Sequence, residues 1–306
     1  MASETLAELF KRLRGRSKLS QEELAASVGL SHRTVSNIER GVQLHPRRVT
    51  LELLSDALGI GDDERRALWM TASASEIKPA PPVTSPVFGR NRFINELCAI
   101  YRQGEGAFIT VTGAPGVGKT VIARSVAASL ASAFAGAIAF VPLEDVRDAA
   151  DLPMVVAGAL GIPEHRQVDT LHSELIDKMK LSPLLLVLDN IEHLVSAGPM
   201  VAEFVRAVPT LSILATGTRA FNLSVEREMM LPPLDLDDAR ELFEYRANAT
   251  LGAYEANDED RKAIERICTA LEGLPLAIEL AAMRTRSLTP LQIADRIWEL
   301  LSQGPQ

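Results

Sequence analysis

The residues with the most definite chemistry form one run, Gly113-Ala114-Pro115-Gly116-Val117-Gly118-Lys119-Thr120, followed by Val121. It fits the pattern G-x-x-x-x-G-K-[ST] and lies between an apolar stretch and a helical one, the context that a phosphate-binding loop requires. Glycines let main-chain N–H groups close around phosphates, and the helix starting near Lys119 adds its positive end. Lys119 can then reach β- and γ-phosphates, and the Thr120 hydroxyl can ligate Mg²⁺. A second acidic element, Leu184 to Leu188 followed by Asp189, puts a carboxylate at the carboxyl end of an apolar strand. There it would hold the metal directly or through water. Asn190 follows and cannot act as a base. Glu192 is either the acid that orients an attacking water or a solvent-facing helix-cap glutamate. Further on, Thr216-Gly217-Thr218-Arg219 ends another strand, where the Arg219 guanidinium suits a γ-phosphate.

These residues need a parallel sheet to bring them together. Apolar runs at Ala107–Thr112, Ala137–Pro142, Leu184–Leu188 and Ser212–Ala215 alternate with helical patterns such as Lys119–Phe134. Such alternation implies an α/β layer with helices on both faces, read as a parallel five-stranded sheet. From Asp235 onward only helical patterns remain, near 235–247, 258–272, 275–286 and 290–302. Upstream, Ser73–Pro86 contains Pro79, Pro81, Pro82 and Pro86, a linker composition with an extended, semi-stiff tendency.

Before the linker lies a series of short helices. Leu6, Leu9, Phe10 and Leu13 recur at helical spacing; Ser20 with Glu23 reads as a capping box; Gly29 ends that helix and Ser31 caps the next. Two further helices are expected at about 49–58 and 62–72. Residues 1–48 carry nine Lys or Arg against five Glu, a net +4, which leaves −12 for the remainder of a chain whose net charge is −8. A basic head on an acidic body suits a nucleic-acid-binding module joined to something else. Val35 and Ile38 face inward, leaving His32, Arg33, Ser36 and Asn37 outward. By geometry Arg33 can pair with guanine and Asn37 with adenine.

Leu19-Ser-Gln21-Glu22-Glu-Leu24-Ala25, Val28-Gly29-Leu30-Ser31 and Thr34-Val35-Ser36-Asn37-Ile38-Glu39-Arg40-Gly41 resemble the helix-turn-helix of phage-repressor-like (XRE/Cro-type) regulators. The resemblance implies that His32, Arg33 and Asn37 read base edges while Gln21, Ser31, Thr34 and Arg40 hold phosphates. Arg47 and Arg48 would extend the backbone contacts. One such module usually gains affinity by pairing on two half-sites, so self-association is expected.

Five ordered motifs resemble the NB-ARC group of signal-transduction (STAND) ATPases, in particular bacterial transcriptional regulators: Phe88-Gly89-Arg90, the P-loop, Leu188-Asp189-Asn190-Ile191-Glu192-His193, Ala215-Thr216-Gly217-Thr218-Arg219 and Gly273-Leu274-Pro275-Leu276-Ala277. The likeness covers residues 87–302. It implies ATP or ADP with Mg²⁺ as ligand, Phe88, Gly89 and Arg90 against the adenine, Arg219 as sensor arginine, Pro275 closing over the base, and a helical ARC subdomain. The sequence departs from the group at Asn91, where an acid is usual. Members of the group ordinarily continue into a winged helix and a repeat array, so this chain is either a short member or a fragment. The expected organisation is a helix-turn-helix domain at 1–72, a linker at 73–86, a P-loop nucleotide-binding domain at 87–233 and an ARC subdomain at 234–306.

Cys98 and Cys268, the only cysteines, are far apart and lack metal-ligand spacing, so neither a disulfide framework nor a zinc site is indicated. No secretory signal and no apolar run of about 18–20 residues occurs, which excludes a membrane span and points to the cytoplasm. Two functions are compatible with the motifs. One is a transcription regulator switched by ATP against ADP with slow or no hydrolysis; the other is a turnover ATPase acting on DNA or a protein, with the head as a tether.

Overall fold

The computed structural model describes residues 5–41, 46, 48–61, 64–65, 67–68, 77–103, 106–162, 168–252 and 254–302. In the head, α1 (Leu6–Arg16), α2 (Gln21–Ser27), α3 (His32–Glu39) and α4 (Arg48–Leu58) pack around Phe10, Leu24, Val35, Ile38 and Leu54, all fully buried. Local sequence sets the boundaries. Thr5 and Ser20 each form a capping box, with Glu8 and Glu23 respectively, and the Ser31 side chain accepts from the Thr34 N–H. Gly29 supplies the left-handed residue that ends α2 at φ +67°. A half-buried charge cluster links the helices: the Arg14 guanidinium donates to both carboxylate oxygens of Glu39 and to Leu19 O, and Gln21 Nε2 donates to Glu39. The helix expected at 62–72 falls mostly outside the described residues, although Leu68 belongs to the head's core.

The middle of the chain is a three-layer α/β body. Its helices are α5 (Asn91–Gln103), α6 (Lys119–Leu130), α7 (Leu152–Ala159), α8 (Val168–Met179) and α9 (Gly198–Ala207). Its strands are β1 (Phe108–Thr112), β2 (Ile138–Pro142), β3 (Leu184–Asp189), β4 (Leu211–Gly217) and β5 (Glu226–Met230), in the order β2-β3-β4-β1-β5. Every pairing is parallel. Because side chains alternate across a strand, β3 sends Leu184, Leu186 and Leu188 into one core with α7, α8 and α9, and Leu185 and Val187 into another with α5 and α6. Burial on both faces explains the uninterrupted aliphatic run of β3; β1, Phe108-Ile109-Thr110-Val111-Thr112, is buried as fully although two of its residues are threonines.

The fifth strand, β5, carries no such run. Its sequence, Glu226-Arg227-Glu228-Met229-Met230, is that of an edge strand with a wet face. It is held in place where the Thr110 hydroxyl donates to Glu226 and the Thr112 hydroxyl to Glu228. Beyond it, α10 (Leu236–Leu251), α11 (Asp258–Ala270), α12 (Pro275–Met283) and α13 (Pro290–Ser302) form a separate core around Phe243, Ile264, Ile267 and Ile278.

Candidate functional site: a phosphate loop and its cavity

The loop between β1 and α6 has the shape its glycines allow. Gly113, Gly116 and Gly118 have φ of +155°, +77° and +100°. A Cβ on Gly113 would lie 2.9 Å from Leu231 O and 3.1 Å from Val117 Cγ1, and one on Gly116 3.0 Å from Leu276 Cβ. Only glycine fits these positions without movement of the neighbours. Ala114 and Pro115 sit exposed at the crest of the loop, and Val117 is buried beneath it. Gly118 then begins α6 without a side-chain cap, leaving the first-turn N–H groups for a ligand.

Lys119 folds back over this loop. Its Nζ donates to Gly113 O at 2.9 Å and to Ala114 O at 3.0 Å. Burial lowers its pKa, with the Glu192 and Asp189 carboxylates opposing. Across the sheet end, Asp189 is buried, and its Oδ1 accepts from the Thr120 hydroxyl at 2.9 Å and the Thr216 hydroxyl at 2.6 Å. The two residues expected to share a metal are thus already in contact. Among the described residues no group of three His, Cys, Asp or Glu side chains could hold a metal alone. A hydroxyl and a single carboxylate are protein donors of the kind Mg²⁺ takes, with waters and substrate phosphates as its other ligands.

Asn190 adopts φ +71°, a left-handed conformation that Asn tolerates, and its N–H donates to Thr216 Oγ1 at 3.0 Å. Thr216 therefore fixes both Asp189 and the turn after β3. The one sign of this role in the sequence is a polar residue near the end of an apolar strand. The register confirms the meeting: Asp189 pairs with Thr216. The turn that follows carries Glu192 close enough to Lys119 to affect its titration, with His193 Nε2 3.9 Å from the Glu192 carboxylate. Arg219 stands exposed just beyond β4 and does not line the cavity beside the loop.

That cavity has a volume of about 220 Å³ and is bordered by Phe88, Arg90, Val117, Gly118, Val121 and Pro275 among others. Three distant stretches of sequence thus converge at the start of α6. Phe88 packs against Tyr245 with ring centroids 5.4 Å apart. Arg90 is buried and its guanidinium donates to Val117 O at 3.4 Å; burial lowers its pKa, opposed by Asp238 and Asp235. Gly89 lies in an adjoining depression with φ +64°, where a Cβ would fall 2.1 Å from Asp238 Oδ2. Arg124, Arg246 and Glu279, not expected from the sequence, also border the cavity. Arg246 and Glu279 form an ion pair at 2.9 Å that bridges α10 and α12. No motif marks these three, because each is one polar residue on an otherwise ordinary helix.

Pro275 reaches the cavity through a specific backbone arrangement. Gly273, at φ +67°, accepts from Leu234 N–H at 2.9 Å, and a Cβ there would lie 2.2 Å from Leu234 O. Pro275 then starts α12. The Leu276 N–H donates to Gly116 O at 3.2 Å, so the helical subdomain is hydrogen-bonded directly to the phosphate loop.

In the head, His32 and Arg33 are exposed on the first turn of α3, and Ser36 and Asn37 are half-buried on the same helix. Arg40 donates to Asn37 Oδ1 at 2.8 Å, and the Ser31 and Thr34 hydroxyls meet at 2.9 Å. Gln21 turns toward Glu39. Arg47 and the side chain of Arg48 lie outside the described residues. No described helix is long and apolar enough to cross a membrane.

Comparison with known proteins matches two parts of the chain to known domains. A helix-turn-helix domain model matches residues 5–68, and an AAA domain model matches residues 102–225. An uncharacterized protein of Mycobacterium tuberculosis is 31% identical over 250 residues, 81% of this chain and 63% of its own length. A second M. tuberculosis protein, provisionally named an HTH-type transcriptional regulator, is 35% identical over 207 residues, 65% of this chain and 23% of its own. The chain thus spans less than two thirds of the relatives it matches. Among solved structures, a chain from Drosophila ORC bound to DNA superposes with a TM-score of 0.53 over 70% of this chain and 67% of its own, at 15% identity, a likeness of fold.

Proposed function

Starting from a chain that joins a helix-turn-helix domain to a P-loop domain of the AAA type, we propose that it is a DNA-binding transcription regulator of the STAND, NB-ARC kind, switched by ATP against ADP. The observation that carries this reading is the Leu276–Gly116 hydrogen bond together with Pro275 at the cavity. A helical subdomain bonded to the loop that holds phosphates responds to what that loop holds.

In this reading the N–H groups of residues 113–120 enclose the phosphates, and Lys119 exchanges its two loop carbonyls for phosphate oxygens. Phe88, Arg90 and Pro275 enclose the adenine. Mg²⁺, when bound, would neutralise phosphate charge at Thr120 and Asp189. Arg219, exposed beyond β4 and outside the cavity wall, would be the sensor of a γ-phosphate. With Asn190 committed to the β3 turn, the chain has no base directly after Asp189, so steady ATP turnover is expected below about one per second, the lower end for efficient phosphoryl-transfer enzymes. In the head, His32, Arg33 and Asn37 read bases while Gln21, Ser31, Thr34 and Arg40 contact phosphates. Paired heads on two half-sites supply the affinity one head lacks, and the relative's name as an HTH-type regulator supports the DNA-binding role.

The test is DNA affinity measured on the full chain with ATP–Mg²⁺, with ADP–Mg²⁺ and without nucleotide. A difference of at least about fivefold, near 1 kcal/mol, is expected between the nucleotides and lost in Lys119→Ala. Identical DNA binding in all three conditions would sink the switch.

A further inference from the structure

By composition residues 73–86 are expected to be a spacer, with the nucleotide pocket beginning at Phe88. The described part of that segment, residues 77–86, is instead seated on the α/β body. Ile77 is buried in the core that faces α7 and α8. The Lys78 N–H donates to Ala159 O at 2.9 Å, and Lys78 O accepts from the Phe140 N–H at 3.3 Å. Past the exposed Pro79 and Pro81, residues Pro82 to Pro86 become part of the cavity wall, which they share with Val121 and Arg124 of α6. Arg124 lies over the Phe140 ring, 5.6 Å from its centroid, and its Nε is buried without a hydrogen-bond partner. One residue, Phe140, therefore touches both the anchored strap and the Arg124 guanidinium at the cavity.

We infer that residues 82–86 complete the nucleoside site and that the DNA-binding head senses the nucleotide through this strap; the inference rests on the nucleotide-binding reading above. A ligand that fills the cavity touches the strap only when the strap is seated, so it favours that state by its differential contact energy. The consequence reaches the head through the chain itself. Leu68, in the head's core, and Ile77 are nine residues apart, a stretch that spans at most about 30 Å. Prolines 79, 81, 82 and 86 fix φ and limit slack along the strap. By linkage, whatever the seated strap adds to nucleotide affinity, the nucleotide returns as constraint on the head.

Hydrogen exchange of the full chain with and without ADP–Mg²⁺ or ATP–Mg²⁺ tests the first half. We expect amides of Val83, Thr84, Ser85, Val87 and Phe88 to exchange about tenfold more slowly with nucleotide. Protection of residues 113–121 without protection of 83–88 overturns the inference alone. No protection at either place overturns the nucleotide-binding reading and this inference with it. The second half is tested with the double variant P79G/P81G, whose altered residues lie outside the cavity wall, using a fluorescent duplex of random sequence at low salt. Wild-type protein should show about a fivefold ATP-to-ADP ratio in DNA affinity and the variant a ratio near one, with nucleotide still bound. Equal affinities in the wild type, or an undiminished ratio in the variant, would overturn the coupling.

Discussion

The phosphate loop and helix α3 of the head both turn polar groups outward, but their shapes are determined differently. Gly113 and Gly116 are confined by Leu231 and Leu276, residues more than a hundred positions away in sequence. Asp189 is held by hydroxyls from α6 and β4. The outward face of α3 depends on one helix, its Ser31 cap, and the inward pair Val35 and Ile38. A site for chemistry on phosphate needs water-excluding contacts from several elements, whereas a surface that reads a groove needs one rigid helix with its donors free. Damage should therefore spread from the first region and stay local in the second.

The sharpest contrast comes from Lys119→Ala, which removes the loop's only charged donor and is expected to weaken ATP affinity about a hundredfold, near 3 kcal/mol, by titration calorimetry. DNA binding without nucleotide should remain within about twofold of wild type. A larger loss there would mean that the two regions share more than a ligand-dependent link. Next in size is Gly273→Ala. Its positive φ and the close approach to Leu234 O predict a loss of about 2–3 kcal/mol in chemical denaturation, together with weaker nucleotide binding as Pro275 shifts. Full nucleotide affinity in that variant would detach Pro275 from the site.

Within the head, Arg14→Ala should cost about 2 kcal/mol, less than an ion pair deep inside a large core, because Glu39 loses its main partner near the surface of a small bundle. The pH dependence follows from the same cluster. Burial pushes the Glu39 carboxyl up, but hydrogen bonds from Arg14 and Gln21 and the Arg14 charge outweigh it and leave the folded-state pKa low. The stabilisation is complete above the ordinary glutamate range and is lost as pH falls through the lowered folded value. Thermal melts of the wild type should show that acid loss and Arg14→Ala should lack it; an unchanged acid limb would remove Glu39 as its source. The smallest effect is expected from Arg33→Ala, about 1–2 kcal/mol in affinity for a specific site and little change in fold stability. If the same variant lowered affinity equally on every sequence, Arg33 would be a phosphate contact.

How much of this was legible in advance follows the same division. The capping box at Ser20–Glu23, the apolar stretch of β1, the aliphatic run of β3 and the eight-residue loop pattern are local, and the structure places each where the pattern put it. Five strands are expected but the edge strand β5 cannot be located in the sequence, because a strand with one wet face carries no aliphatic run, and Glu226 and Glu228 gain their partners only when Thr110 and Thr112 lie beside them. The proline-rich segment read as a spacer because composition reports stiffness and not what a chain packs against.

By itself the amino-acid order determined the helix ends, the strand periodicity, the phosphate pattern and the charge contrast between head and body, since each depends on neighbours within about two helical turns. Tertiary structure decided that Thr216 meets Asp189, that α12 bonds to Gly116, and that residues 82–86 wall the cavity. Those contacts join residues far apart in the chain, and their register is selected only when the two cores close on either side of the sheet.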